Sequence, residues 1–169
     1  DLGLKDLAVL SDGTKIPNNR YTKRYECKLR RLQQSHSRKK KGSKNREKAR
    51  IRVAKLHERI TRSRNDHLHK LSTQLIKENQ VIGVEGLVVK NMVKNHNLAK
   101  HIQDVSWGVF LNMLAYKAIQ SQHCTLVVMD TFYPSSHICH VTGKQLERKL
   151  SLQERSWLCP HCGATHDRD

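Results

Sequence analysis

Aromatic side chains are scarce in this chain: Trp, Tyr and Phe together make up 5 % of 169 residues, and apolar residues of every kind only 37 %. Such a composition supports one modest core with an appendage, not two full domains. Long apolar runs are missing too, and none approaches the roughly 20 residues that a membrane-spanning helix needs. The opening DLGLKDLAVL has neither a basic start nor a long apolar stretch, so it does not read as a secretory signal. Cysteines number five (Cys27, Cys124, Cys139, Cys159 and Cys162), an odd and uneven set that argues against a secreted disulfide scaffold. A protein of the cytosol that faces nucleic acid is the starting expectation.

Acidic residues are rarest where they are most needed. The whole chain carries 32 Lys and Arg against 15 Asp and Glu, a formal charge of +17. Between Arg20 and Lys70 there are 20 basic residues and only Glu26, Glu47, Glu58 and Asp66 to oppose them, whereas the remainder is nearly neutral. A merely solvated helical face interleaves acids at i,i+4 to relieve repulsion. A segment that does not do so is tolerable when a polyanion neutralises it and its counterions are released. Arg30, Arg31, Arg38, Lys39, Lys40, Lys41, Lys44, Arg46, Lys48 and Arg50 are the candidate nucleic-acid-binding residues.

Helical order lies beneath the charge. Tyr21, Tyr25, Leu29 and Leu32 form one apolar stripe, and Val53, Leu56, Ile60, Leu68, Leu71 and Leu75 form a second. Gly42 and Ser43 break the pattern between them, so a helical hairpin is expected at about 20–78. Short strands are expected around it. Asp6–Leu10 and Thr14–Ile16 flank the turn Ser11-Asp12-Gly13 as a β-hairpin, and Val81–Val84 and Thr125–Met129 read as buried-type strands. Val105–Gln122 is expected as an amphipathic helix capped by Asp104. The order predicts an α/β fold with a mixed sheet and crossover helices.

Three carboxylates stand at suggestive places: Asp1 in D-L-G, Glu85 after Val81–Val84, and Asp169 closing H-D-R-D. Acids converging on one rim of a sheet could hold two Mg²⁺ or Mn²⁺ ions for phosphodiester hydrolysis, although solvated surface groups are the commoner explanation of such residues. The cysteines say more. Cys159-Pro-His-Cys162-Gly is a knuckle that aims two thiolates at one tetrahedral Zn²⁺, and Cys139-His140-Val141-Thr142-Gly143 repeats its frame with Thr142 at the second sulfur position. Cys139, Cys159 and Cys162, completed by His140 or His137, are the candidate ligands; a site lost by mutation is the alternative. A thioredoxin-like redox reading of C-P-H-C is disfavoured, because that fold puts most of its domain after the motif and only seven residues follow here.

Taken in order, D-L-G-L-K-D-L-A-V-L-S-D-G, R-R-L-Q-Q-S-H-S-R-K-K-K-G-S-K-N-R-E-K-A-R, V-I-G-V-E-G-L, D-V-S-W-G-V-F, F-Y-P-S-S-H-I-C and C-P-H-C-G-A-T-H-D-R-D resemble the OrfB/TnpB family of insertion-sequence transposase proteins, relatives of type V CRISPR effectors. The resemblance covers essentially the whole chain. It implies an RNase H-like (RuvC) mixed sheet with an inserted basic helical hairpin and a C-terminal zinc-ribbon-like segment, divided as 1–133 and 134–169. It also implies RNA-guided, metal-dependent cleavage of DNA, with DNA and a guide RNA as partners, in the nucleoid-associated cytoplasm of a prokaryotic-type cell.

Carried across by position, the resemblance makes Asp1, Glu85 and Asp169 the catalytic carboxylates, with Asp167 as fallback, and Cys139, Cys159 and Cys162 three of four zinc ligands. The chain departs from the family at Thr142, where Cys is expected, at Gly86, commonly Asp, and at Thr131, commonly Arg. The family also has a recognition region before this chain and a helix after it, so a truncated copy is expected. The alternative is a catalytically inactive nucleic-acid-binding remnant that keeps the hairpin.

Overall fold

The computed structural model describes residues 1–131, 133–148, 150–151 and 153–167. It begins with a β-hairpin, β1 (Asp6–Val9) and β2 (Lys15–Pro17), turned by Gly13 at φ 83°, a left-handed conformation that glycine adopts without a Cβ penalty. Asp1 is zipped beside β1: its carbonyl accepts from Val9 N–H at 2.8 Å, and Leu2 bridges Ala8.

Two long helices follow, α1 (Tyr21–Ser37) and α2 (Lys44–Glu78). Ser43 caps α2 through its side chain, which accepts from Arg46 N–H. α1 has no such help, since Arg20 before it is left-handed and offers no side-chain cap. The cap comes from elsewhere. Both Asp104 carboxylate oxygens accept from Thr22 N–H, at 3.0 and 3.1 Å, placing a negative charge on the positive end of α1.

After α2 come β3 (Val81–Val84), the short α3 (Val89–Met92), α4 (His96–Val105), α5 (Trp107–Ser121) and β4 (Thr125–Val128). β3 and β4 pair in parallel, from Val81 opposite Thr125 to Val84 opposite Val128. The helix expected over Val105–Gln122 thus begins two residues later, because Ser106 turns left-handed at φ 59° and separates α4 from α5. Asp104 ends up inside α4, which frees its carboxylate to cap α1 instead.

One core joins these parts. Leu7, Ala8 and Ile16 of the β-hairpin, Leu68, Leu75 and Ile76 of α2, and Trp107, Phe110, Met113 and Leu114 of α5 belong to one buried cluster, with Leu2, Ile82, Val84 and Leu126 packed against it. Lys117 ties α5 to α2, donating to His69 O, Ser72 Oγ and Thr73 Oγ1, each at 2.7 Å. The expected mixed sheet is present only as separate pairs among the described residues: β1–β2, β3–β4, and a third pair, β5 (Ser156–Leu158) with β6 (Thr165–Asp167). Core residues cover only one side of β3–β4. Val81 and Val127 point the other way and stay exposed, so these strands are not buried on both faces as parallel strands usually are.

The C-terminal part has its own small core of Cys139, Leu150, Trp157 and Cys159. Asp169 lies outside the described residues.

Candidate nucleic-acid interface and metal centre

The hairpin has a thin interior. α1 buries no residue fully, and the distal half of α2 contributes only Ala49, Leu56 and Ile60. Its root is fastened by charge. Arg64, with 17 % of its side chain exposed, donates to Asp104 Oδ1 (3.0 Å), Thr22 Oγ1 (3.1 Å) and Ser106 Oγ (3.0 Å), and Thr22 Oγ1 donates to Asp104 at 2.6 Å. Glu26 pairs with Lys100 of α4, whose hydrogen bond and charge hold the Glu26 carboxyl below its usual range.

These anchors give the hairpin two unlike faces. On α1, Thr22 and Glu26 face the body, and Arg24, Lys28 and Arg31 recur on the opposite flank. On α2, Arg64 faces the body, and the flank turned away from it carries Lys44, Lys48, Arg52, Lys55, Arg59 and Arg62, spaced three or four residues apart and all exposed. At 1.5 Å per residue that ladder runs for roughly 27 Å. Three of the four acids of α2 pair within their own helix, Glu47 with Arg50, Glu58 with Arg62 and Asp66 with Lys70, and leave most of the ladder uncompensated. Exposed pairs of this kind add little stability.

The other basic candidates cluster at the tip. Lys39, Lys40 and Lys41 occupy the exposed turn, Arg38 follows α1, and Arg46 donates to Lys39 O at 2.9 Å, stiffening that turn. Arg30 is exposed on α1, and Arg50 is held by Glu47. Sequence reasoning missed Arg52, Lys55, Arg59 and Arg62. Their repeat at intervals of three and four was the available signal.

Of the carboxylates, Asp1 is exposed beside β1 and Glu85 follows β3, in a different strand pair. Glu85 has no side-chain hydrogen bond or ion pair among the described residues. Its neighbourhood is tight: Thr131 Oγ1 donates to Gly86 O at 2.8 Å, and a Cβ on Gly86 would stand 2.4 Å from Met129 O. Gly86 and Thr131, two of the three departures expected from the resemblance, therefore touch each other. Asp167 closes β6 opposite Ser156.

The two knuckles fold alike. Gly143 N–H donates to Cys139 O and Cys139 N–H to Lys144 O; Gly163 N–H donates to Cys159 O and Cys159 N–H to Ala164 O. Gly143 and Gly163 take φ 67° and 69°, which only glycine adopts cheaply. Cys139 and Cys162 sulfurs are 3.5 Å apart, close to the roughly 3.8 Å edge of a tetrahedron with 2.3 Å metal–sulfur bonds. Burial raises the Cys139 thiol pKa, but hydrogen bonds from Thr142, Val141 and Cys162 outweigh it and bring it to about 5. Cys162 shifts upward: the Ala164 N–H favours its thiolate, while burial and the Cys139 and Cys159 sulfurs oppose it more strongly.

Buried Cys139, Cys159 and His166 bring two sulfurs and a ring nitrogen within 4.8 Å of one another, a cluster that could hold a metal ion. His166 was not foreseen. His140, expected as the helper, has its Nδ1 2.9 Å from Nδ1 of His166, and His137 accepts from Leu150 N–H through Nε2 at 3.3 Å.

Two family models match the chain in order, the first over the β-hairpin, the basic hairpin and β3, the second over α5, β4 and the Cys/His segment. Residues 1–96 match the OrfB family of the IS605 type, described as a probable transposase, and residues 107–169 match the TNB domain of the Cas12f1-like type. The chain belongs to the OrfB transposase family. It is 46 % identical, over its whole length, to a Streptomyces pristinaespiralis protein named "Putative RNA-guided DNA endonuclease", and covers 41 % of that relative. A protein of the same designation from Mycobacterium tuberculosis is 32 % identical and covered to 38 %. InsQ of Escherichia coli, also so designated, is 34 % identical over 89 % of this chain and covered to 41 %. The chain thus spans about two fifths of the curated relatives it matches. No helix among the described residues is long and apolar enough to cross a membrane.

Proposed function

We propose that this chain is the nuclease-bearing part of an RNA-guided, Mg²⁺- or Mn²⁺-dependent DNA endonuclease, with DNA and a guide RNA as partners. In this reading residues 1–133 form an RNase H-like (RuvC) unit and 134–169 a zinc ribbon that leads into the last acidic motif. The observation that carries it is the match, at 46 % identity over the whole of this chain, to a relative named "Putative RNA-guided DNA endonuclease". The one-sided cation ladder supports it, because a face turned from the body and short of acids suits a polyanionic duplex.

Asp1, Glu85 and Asp169 are the proposed metal-binding carboxylates. Divalent ions bound there would supply an activated water and stabilise the leaving 3′ oxygen. The chain's own part is placement. Asp1 is fixed through its backbone to β1, and Glu85 by the close approach of Gly86 to the end of β4. The hairpin holds the substrate backbone, and the three cysteines are proposed to bind Zn²⁺ and order the ribbon. A cytoplasmic, nucleoid-associated location in a prokaryotic-type cell goes with these partners.

One observation favours the inactive-remnant alternative: the acid common in the family at position 86 does not fit this backbone, because its Cβ would meet Met129 O. The test is to exchange this chain into the matching region of the Streptomyces relative and assay DNA cleavage with matched guide RNA and Mg²⁺. Glu85→Gln should reduce cleavage at least about 100-fold, with binding changed less than about twofold. Full cleavage by that variant would refute the nuclease site. A chimera that binds but never cuts would establish the remnant reading.

A further inference from the structure

The ribbon has a knuckle without its second thiol, and the structure offers a replacement from outside both knuckles. The two halves repeat at an offset of twenty residues: Cys139 matches Cys159, Thr142 matches Cys162, Gly143 matches Gly163, and Leu146 matches His166. The hydrogen bonds follow the same repeat, as does pairing, since Ile138 bridges Gln145 as Leu158 pairs with Thr165. The inward position that holds an apolar Leu146 in the first half holds an imidazole in the second.

That imidazole is buried, with 5 % of its surface exposed. Trp157 covers one side, its ring 4.4 Å from that of His166, and the His140 ring meets it edge-on at 4.5 Å. Nδ1 of His166 is engaged by Nδ1 of His140, so one of the two carries the shared proton. Nε2 of His166 has no hydrogen-bond partner among the described residues, although it is buried. A buried polar atom without a partner is costly unless something completes it. The sulfurs of Cys139 and Cys159 lie within 4.8 Å of the His166 ring nitrogen in this cluster, and Cys162 stands outside that trio with its sulfur 3.5 Å from that of Cys139.

We propose that His166 supplies the fourth ligand through Nε2, so that this ribbon binds one Zn²⁺ with Cys139, Cys159, Cys162 and His166. His140 is then a positioning residue. By accepting the His166 Nδ1 proton it fixes the tautomer that leaves Nε2 bare, the usual arrangement for an imidazole that binds metal. Thr142 is released from ligation; its hydroxyl accepts from Lys144 N–H and its backbone N–H donates to the Cys139 sulfur at 3.4 Å.

The test is metal titration of the 169-residue chain, with Zn²⁺ affinity from chelator competition and Co²⁺ absorption to count thiolates. Wild type should bind one ion with the visible spectrum of three sulfurs and one nitrogen. His166→Ala should lose at least about tenfold in affinity and change the Co²⁺ bands, and His140→Ala should lose about tenfold with the bands kept. His166→Ala combined with Thr142→Cys should recover tight binding with a four-sulfur spectrum, which shows that the fold survives the loss of the imidazole. An unchanged spectrum in His166→Ala, a loss of the nitrogen signature in His140→Ala, or no metal bound by wild type would each overturn the proposal. None of these results depends on cleavage, so the nuclease reading stands or falls separately.

Discussion

The basic hairpin and the ribbon are both poor in buried apolar surface, and they compensate in opposite ways. The hairpin is built from i→i−4 hydrogen bonds along two long helices, with order propagated locally and fastened at its root by Arg64 with Asp104, Glu26 with Lys100, and Lys117. The ribbon has two three-residue strands and a core of four buried residues, of which two are cysteines. Its contacts include pairs more than 20 positions apart, Cys139 with Cys162 and His140 with His166, and no helix among the described residues carries order across it. A long helix can do without a large core; a set of turns needs a cross-link. The comparison predicts that each region fails through its own fastening and leaves the other standing.

Removing metal should break the ribbon and spare the hairpin. Binding free energy in such small sites is folding free energy, so a strong chelator should abolish hydrogen-exchange protection at Cys139 and Cys159 N–H, which donate to Lys144 O and Ala164 O. Amides of α2 around Leu68 and Leu75 should keep theirs. Equal loss in both regions, or none in either, would show that the ribbon is not ordered by an ion. This is the largest effect expected.

The hairpin's counterpart is Asp104→Ala. It leaves the largely buried Arg64 guanidinium without its anion and Thr22 N–H without its cap, so a loss of about 3–5 kcal/mol is expected from urea denaturation of the chain. Exchange should rise first at the start of α1, while the ribbon keeps its metal affinity. Asp104→Asn retains an acceptor oxygen and should cost less. If Asp104→Ala costs under about 1 kcal/mol, the root of the hairpin is held by apolar packing alone.

The same contrast explains what the sequence made legible. Periodicity located both helices of the hairpin and the break at Gly42–Ser43, because a seam at three- and four-residue spacing is a local property. Val81–Val84 was legible as a β-branched run, which is also a local property. The Arg64–Asp104 clamp was not, since it joins positions 40 apart and depends on the left-handed turn at Ser106, which no residue type there announces. Asp104 consequently read as a cap for the helix beside it in sequence. In the ribbon the repeated C-x-x-x-G frame gave the sulfurs, yet His140 looked like the helper because it adjoins Cys139. The strand register that faces Trp157 with His166 puts the His166 ring in the cluster with Cys139 and Cys159, and only the twenty-residue offset between the halves could have hinted at it. Expecting one mixed sheet came from element order. Pairing partners are set by contacts that order alone does not contain.

The smallest expected effect tests whether the hairpin's two faces differ in function as they do in structure. Nucleic-acid affinity driven by phosphate contacts falls linearly with salt on a log–log plot, with about 0.9 in slope for each phosphate neutralised on a duplex. Replacing Lys48, Arg52 and Lys55 by Ala removes three rungs of the ladder on the flank away from Arg64, all exposed and none paired with an acid among the described residues. The slope on a random-sequence duplex should fall by about 2–3, with little change in stability, since no buried contact is lost. Lys23→Ala with Arg30→Ala also removes exposed charge from the hairpin, but from outside the Arg24, Lys28 and Arg31 stripe, and should lower the slope by less than about 1. An equal loss per charge in the two variants would mean that the hairpin acts as a diffuse cloud of charge. A loss confined to the ladder would mean that its clamp at Asp104 orients one face toward the polyanion, joining the fastening at the root to the binding on the other side.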